Sequence, residues 1–149
     1  MPDIVDPATR SRMMSRIRGK DTRPELVMRR GLHALGYRFR LHEKTLPGRP
    51  DLVFPKYSAA VFVNGCFWHG HDCHLFRMPS TRPGFWEEKI GRNRARDAEA
   101  RQALLEGGWR VLDVWECALK GKTRLEPGEP VELAARWLES GEARGEVRG

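Results

Sequence analysis

The stretch from Pro50 to Cys73, PDLVFPKYSAAVFVNGCFWHGHDC, restricts the fold more than any other part of this chain. Asp51–Phe54 and Ala59–Val63 are short apolar runs of strand type, and Pro55-Lys56-Tyr57-Ser58 between them is turn chemistry. The two runs read as a hairpin placed centrally in a sheet. A loop follows, Asn64–Pro83, with too few aliphatic residues to pack itself, so it needs a ligated or functional explanation. It carries Cys66, His69, His71, Cys73 and His74, with Phe67 and Trp68 among them.

The flanking segments alternate between helix and strand patterns. Asp6-Pro7 starts a helix over 8–18 whose Arg10, Arg12, Arg16 and Arg18 outweigh a narrow stripe of Met13, Met14 and Ile17. Such a helix reads as a basic arm laid on a partner. Thr22-Arg23-Pro24-Glu25 is a capping-box pattern, and Leu26, Met28, Leu32 and Leu35 supply the buried face of the helix it opens. Tyr37, Phe39 and Leu41 alternate with Arg38, Arg40 and His42, which predicts a half-buried strand. Beyond the loop, Phe85–Glu106 is a charged helix and Trp109–Trp115 an internal strand, apolar on both faces. Pro130–Leu138 is a last helix, and Ser140–Gly149 is expected to fray. The order predicts an α/β fold, a mixed sheet flanked by helices. Its parts are a DNA-contacting arm over 1–19, one domain over 20–140 and a flexible tail over 141–149.

Charge narrows the partners. The formal net charge is +7, and Arg far outnumbers Lys. A guanidinium forks onto phosphate and stacks on bases, so nucleic acid is the indicated partner. There is no apolar run of membrane-spanning length and no secretory signal, which predicts a cytoplasmic, nucleoid-associated protein with no membrane partner. Three cysteines in that setting argue for ligation or burial rather than a disulfide framework.

Cys66, His71 and Cys73 with the distant Cys117 make a closed Cys₃His set, which zinc accepts tetrahedrally as a structural site. His69 or His74 are alternatives to His71, since spacing does not separate them. Asp51 heads the first hairpin strand, and phosphodiester hydrolysis needs a carboxylate to hold Mg²⁺ against the scissile phosphate. Val63 and Asn64 end the neighbouring strand and offer a backbone carbonyl or side chain. His69 is then placed to take a proton from attacking water. Phe67, Trp68 and Trp86 lie in or beside the loop, where exposed aromatics can wedge between base pairs, as Met14 can from the basic arm; a local hydrophobic cluster covering the zinc is the competing reading, for Phe67 above all.

These residues carry a resemblance. Pro50-Asp51 and Val61-Phe62-Val63-Asn64-Gly65-Cys66-Phe67-Trp68-His69-Gly70-His71-Asp72-Cys73 closely resemble the very short patch repair DNA mismatch endonucleases. So do Met14-Ser15-Arg16-Ile17, Lys20-Asp21-Thr22-Arg23-Pro24-Glu25, Phe85-Trp86-Glu87-Glu88-Lys89-Ile90, Arg96-Asp97 and Val114-Trp115-Glu116-Cys117. The resemblance implies a restriction-endonuclease-like fold of the PD-(D/E)xK type with a structural zinc. It implies a Mg²⁺-dependent enzyme, expected to be a monomer, that nicks double-stranded DNA beside the T of a T:G mismatch. Such mismatches arise when 5-methylcytosine deaminates, and a repair polymerase and mismatch-repair proteins act downstream. Carried over, Asp51 is the Mg²⁺ ligand with the Val63 carbonyl, His69 the base or its helper, and Glu25 and Asp97 assist. Cys66, His71, Cys73 and Cys117 match the zinc ligands; Phe67, Trp68, Trp86 and Met14 match the wedge. The family pattern is Thr-His where this chain has Val63-Asn64, so Asn64 takes an imidazole's place in the catalytic set. A non-catalytic zinc-containing module that binds distorted DNA is the alternative.

Overall fold

Residues 21–149 are described by the structure, a computed structural model. The basic arm and Met14 lie outside the described residues. A five-stranded sheet runs in the order β1 (Arg40–Leu41), β2 (Leu52–Phe54), β3 (Ala59–Asn64), β4 (Arg110–Trp115), β5 (Arg144–Val147). The β1–β2 and β2–β3 pairs are antiparallel, and β3–β4 and β4–β5 are parallel. A tight turn suffices for the antiparallel hairpin, here Pro55–Tyr57 with Ser58 left-handed at φ 50°. Each parallel pair needs a helical crossover. Helix α2 (Pro83–Glu106) supplies the first, and α3 (Glu129–Glu139) the second.

The alternation of β3 sorts the core into two layers. Ala59 and Val61 point to one face, where Met28 and Leu32 of helix α1 (Arg23–Ala34) and Val131, Ala134 and Trp137 of α3 cover them. Ala60 and Phe62 point to the other, against Leu104 of α2. Thr22 caps α1 as its pattern predicts, its Oγ1 accepting from Glu25 N–H at 3.4 Å. Glu25 completes the cap one residue earlier than a regular box, accepting from Asp21 N–H at 3.1 Å.

Two expectations need correction. The strand expected over Tyr37–His42 shrinks to Arg40–Leu41, paired with Val53 and Leu52 of β2, and His42, left-handed at φ 47°, ends it. Tyr37 and Phe39 still pack inward, edge-on to Phe54. The tail over 141–149 does not fray either. Arg144–Val147 adds to β4 in parallel register and buries Val147. Only one side chain of that strand is apolar, so periodicity could not reveal it; the unpaired edge of β4 is what recruits it.

Gly145 makes this addition possible: a methyl there would collide with Trp137 Cδ1 and crowd Leu112. Gly145→Ala is expected to cost about 1–3 kcal/mol through overpacking, read as a lowered urea midpoint. An unchanged midpoint would mean that the tail does frame no part of the core.

Candidate active site and metal cage

The register of the central parallel pair builds one edge of the molecule. Asn64 of β3 stands beside Trp115 of β4, so Cys66 and Cys117, each two residues further on, leave the sheet side by side. The Cys66 N–H donates to Glu116 Oε1 at 3.2 Å, which ties the two exits together. The loop then turns back: His71 N–H donates to the Cys66 carbonyl at 2.9 Å, and its ring stacks on Trp115 at 3.9 Å.

The donor atoms of Cys66, His71, Cys73 and Cys117 lie within 4.8 Å of one another. His71 Nδ1 is 3.6 Å from both Cys66 Sγ and Cys117 Sγ. In a tetrahedron with Zn–S about 2.3 Å and Zn–N about 2.0 Å, the S···N edge is about 3.5 Å, so the spacing suits a cation at the centre. Burial pushes the Cys66 and Cys117 thiols up and holds the His71 imidazole down. Neutral imidazole is the ligating form, and a dication would draw the protons off the thiols. The cage belongs to His71 rather than its alternatives. His74 is bonded to Thr123 and Lys122, and His69 to Asp97.

The acid sits on the other side of β3. The Asp51 carboxylate accepts from Val63 N–H at 2.7 Å, which docks the head of β2 onto the end of β3. Burial pushes its pKa up to about 7; the Val63 N–H opposes this and the neighbouring Glu25 carboxyl reinforces it. Glu25 is itself 1% exposed and bonded to Arg29 at 2.9 Å and His42 at 2.8 Å. Two carboxyls close together in a buried place make a natural seat for a cation. Asp21, Glu25 and His42 also converge, but there the Arg29 guanidinium already bridges Asp21 and Glu25.

Beside Val63, the residue bonded to Asp51, opens a groove of about 1220 Å³. Val63, Asn64 and the His69–Asp97 pair line its floor, with His69 Nδ1 2.5 Å from Asp97 Oδ2. That bond leaves Nε2 as the nitrogen free to handle a proton. Phe67, Trp68 and Trp86 form one wall, packed edge-to-face or tilted with centroids 5.2 to 5.8 Å apart. They are half-buried, so they are both a cluster and a surface. Arg49, Lys89, Arg96 and Lys120 line the rim. Sequence reasoning did not single these cations out, since nothing in their spacing distinguishes them from the other bases of the chain.

Asn64, which the resemblance places in the catalytic set, is tied into a buried network: its carboxamide donates to Asp113 at 2.9 Å and accepts from Arg101 at 3.3 Å. A carboxamide neither gains nor loses a proton near neutral pH, so it is no substitute for an imidazole as a base. Arg101 and Asp113 were also missed. The signal was present: an acid at an inward position of an otherwise apolar internal strand needs a buried partner.

Comparison with known proteins gives concordant matches. The family model described as DNA mismatch endonuclease Vsr matches residues 2–75. The Type II nicking enzyme V.XorIIP of Xanthomonas oryzae pv. oryzae is 49% identical over 126 residues, 85% of this chain and 93% of that protein. The DNA mismatch endonuclease Vsr of Escherichia coli K12 is 46% identical over 138 residues, 93% of this chain and 88% of that protein. The Type II nicking enzyme V.NmeAIP of Neisseria meningitidis is 42% identical over 122 residues, covering 82% and 87%.

The Asp51 environment predicts a pH signature. An acid whose pKa rises on folding stabilises the fold fully below its ordinary 3.8, and that contribution is lost as pH climbs through about 7. In buffer without added divalent cation, Asp51→Asn is expected to be more stable than the parent at pH 8 and equal to it near pH 4. Urea titrations at the two pH values read the gap, and a constant gap would place Asp51 at its ordinary pKa.

Proposed function

The chain belongs to the Vsr family of DNA mismatch endonucleases, and from that footing we propose that it nicks one strand of duplex DNA beside the thymine of a T:G mismatch. One observation carries the mechanism: Asp51 is anchored to Val63 at the strand end, and Val63 lines the groove that the His69–Asp97 pair also lines. A carboxylate for the cation and an imidazole for the proton are the two groups that hydrolysis of a phosphodiester requires. We read the mixed sheet as the restriction-endonuclease-like PD-(D/E)xK type, with Pro50-Asp51 as its acidic signature.

Mg²⁺, held by Asp51 and the Val63 carbonyl with Glu25 assisting, would supply positive charge against the phosphate. The chain's own residues do the rest. Asp97 fixes the His69 tautomer, so that Nε2 faces the groove and can accept a proton from water. Phe67, Trp68 and Trp86 are the wedge, and Met14 of the N-terminal segment is assigned to it on the family resemblance alone. Unstacking a base step costs a few kcal/mol, and a mismatched pair opens at less cost than a matched one. The basic rim holds the phosphates on either side. The Cys66, His71, Cys73 and Cys117 cage takes zinc, whose donor preference matches three thiolates and one imidazole. It holds the wedge loop to β4 and leaves no position open for chemistry.

A strand-resolved nicking assay on a T:G duplex in several flanking contexts tests this reading. The expected result is a Mg²⁺-dependent nick beside the T, absent on T:A duplex and reduced at least about a thousandfold by Asp51→Ala, with mismatch binding retained. Binding without a nick in every context would instead make the protein a module for distorted DNA. For the cage, Cys117→Ser is expected to lose the zinc that copurifies with the parent and to unfold at lower temperature, because binding energy here is folding energy. Retained stoichiometric zinc, measured by elemental analysis, would remove Cys117 from the cage.

A further inference from the structure

The buried polar cluster of Asn64, Arg101 and Asp113 has no part in the mechanism described above. Asp113 lies inside β4 at 6% exposure, beside Phe62 of β3. Arg101 of α2, also 6% exposed, reaches it with two nitrogens: Nε at 3.2 Å and Nη2 at 2.5 Å, both to Oδ1. Asn64 bonds to both residues, and the Phe62 ring lies 3.7 Å beneath the guanidinium. The remaining oxygen, Asp113 Oδ2, pairs with the half-exposed Arg144 of β5 at 3.2 Å. The guanidinium is therefore held on its flank, its edge and its face, and it cannot turn.

Its third nitrogen is the informative one. Arg101 Nη1 stands 3.7 Å from Asp97 Oδ1, one helical turn earlier. The other Asp97 oxygen, Oδ2, is the one on His69. The two oxygens of Asp97 are thus divided between a fixed cation and the groove imidazole. A buried ion pair made only for stability would need Arg101 and Asp113 alone, and such pairs are weak stabilisers. Here the guanidinium also stands within ion-pair distance of a carboxylate whose other oxygen bonds a histidine.

We propose that Arg101, gripped by Asp113 and Asn64, is a positioning residue of the endonuclease: it orients Asp97, and through Asp97 it holds the His69 imidazole at the groove floor. The inference rests on the nicking reading, since His69 has a proton to move only if the groove hydrolyses DNA. It also gives Asn64 its function: the carboxamide secures the guanidinium.

The test compares nicking by the full chain and its variants on one T:G duplex, with kcat, KM and thermal midpoint measured for each. Arg101→Lys keeps the charge beside Asp113 but cannot serve Asp113 and Asp97 together. Arg101→Gln with Asp113→Asn replaces the buried ion pair by a neutral hydrogen-bonded one, and guards against a single variant that fails to fold. Both are expected to lower kcat about tenfold to a hundredfold with KM nearly unchanged, the scale of a displaced catalytic group. Asp97→Asn is expected to lose as much, and combining it with Arg101→Lys should add nothing further. Parental kcat in a folded Arg101→Gln/Asp113→Asn protein would overturn the proposal and leave the nuclease reading intact. So would losses that multiply when Asp97→Asn is added, since Arg101 would then act by another route. Failure of the parent itself to nick in any context would overturn the nuclease reading and this inference with it.

Discussion

The parallel register between β3 and β4 is the constraint on which the other parts depend. With Asn64 beside Trp115, the two chains leave the sheet at one level, and everything of chemical interest grows from those two exits. Cys66 meets Cys117 there, Glu116 receives the Cys66 N–H, and Trp115 offers its ring to His71. A slip of one residue would exchange the faces to which Phe62 and Val63 point and separate the thiols. The crossover through α2 makes the register possible and also carries Asp97 and Arg101 to the same end of the sheet.

Around that edge, two sites of opposite character share one loop. The cage side is thiol-rich, closed and buried, and it fixes the loop in place. On the groove side are carboxyls, an imidazole and half-buried aromatics, open to a large partner. Gly65 to Cys73 contributes to both, so the Cys/His cluster and the groove residues Phe67, Trp68 and His69 are carried by one short stretch of chain. The closing strand β5 works in the same direction. Arg148 bonds Asp72 at 2.7 Å, Gly149 N–H donates to Cys117 Sγ at 3.3 Å, and Glu146 lies 3.5 Å from His71 Nε2.

Electrostatics divides along similar lines. The rim cations Arg49, Lys89, Arg96 and Lys120 face the groove, where a phosphate backbone gains from them. Beneath them, charge is matched internally. Arg29 neutralises Asp21 and Glu25, and Arg101 neutralises Asp113. The half-buried Asp51 carboxyl has no cationic side chain bonded to it among the described residues, so desolvation prevails and displaces its pKa upward to about 7.

Much of this was legible in the chain itself. The hairpin, the long helix over Phe85–Glu106 and the internal strand follow from local patterning, because period and capping residues act over a few neighbours. The donor set Cys66, Cys73 and Cys117 was legible because thiols are scarce and zinc chemistry is selective. What the tertiary structure alone decided are the pairings between residues far apart in sequence. It chose His71 over His69 and His74, because only its ring can stack on Trp115 and reach both thiols. Arg144–Val147 became a strand because β4 left an edge to fill and Gly145 cleared Trp137. The tertiary structure also bonded Asn64 to Arg101 and Asp113, because the far ends of those bonds are fixed only by how α2 crosses the sheet. Residue chemistry and short-range spacing are written in the sequence; which donor meets which acceptor across the sheet is set by register and crossover geometry.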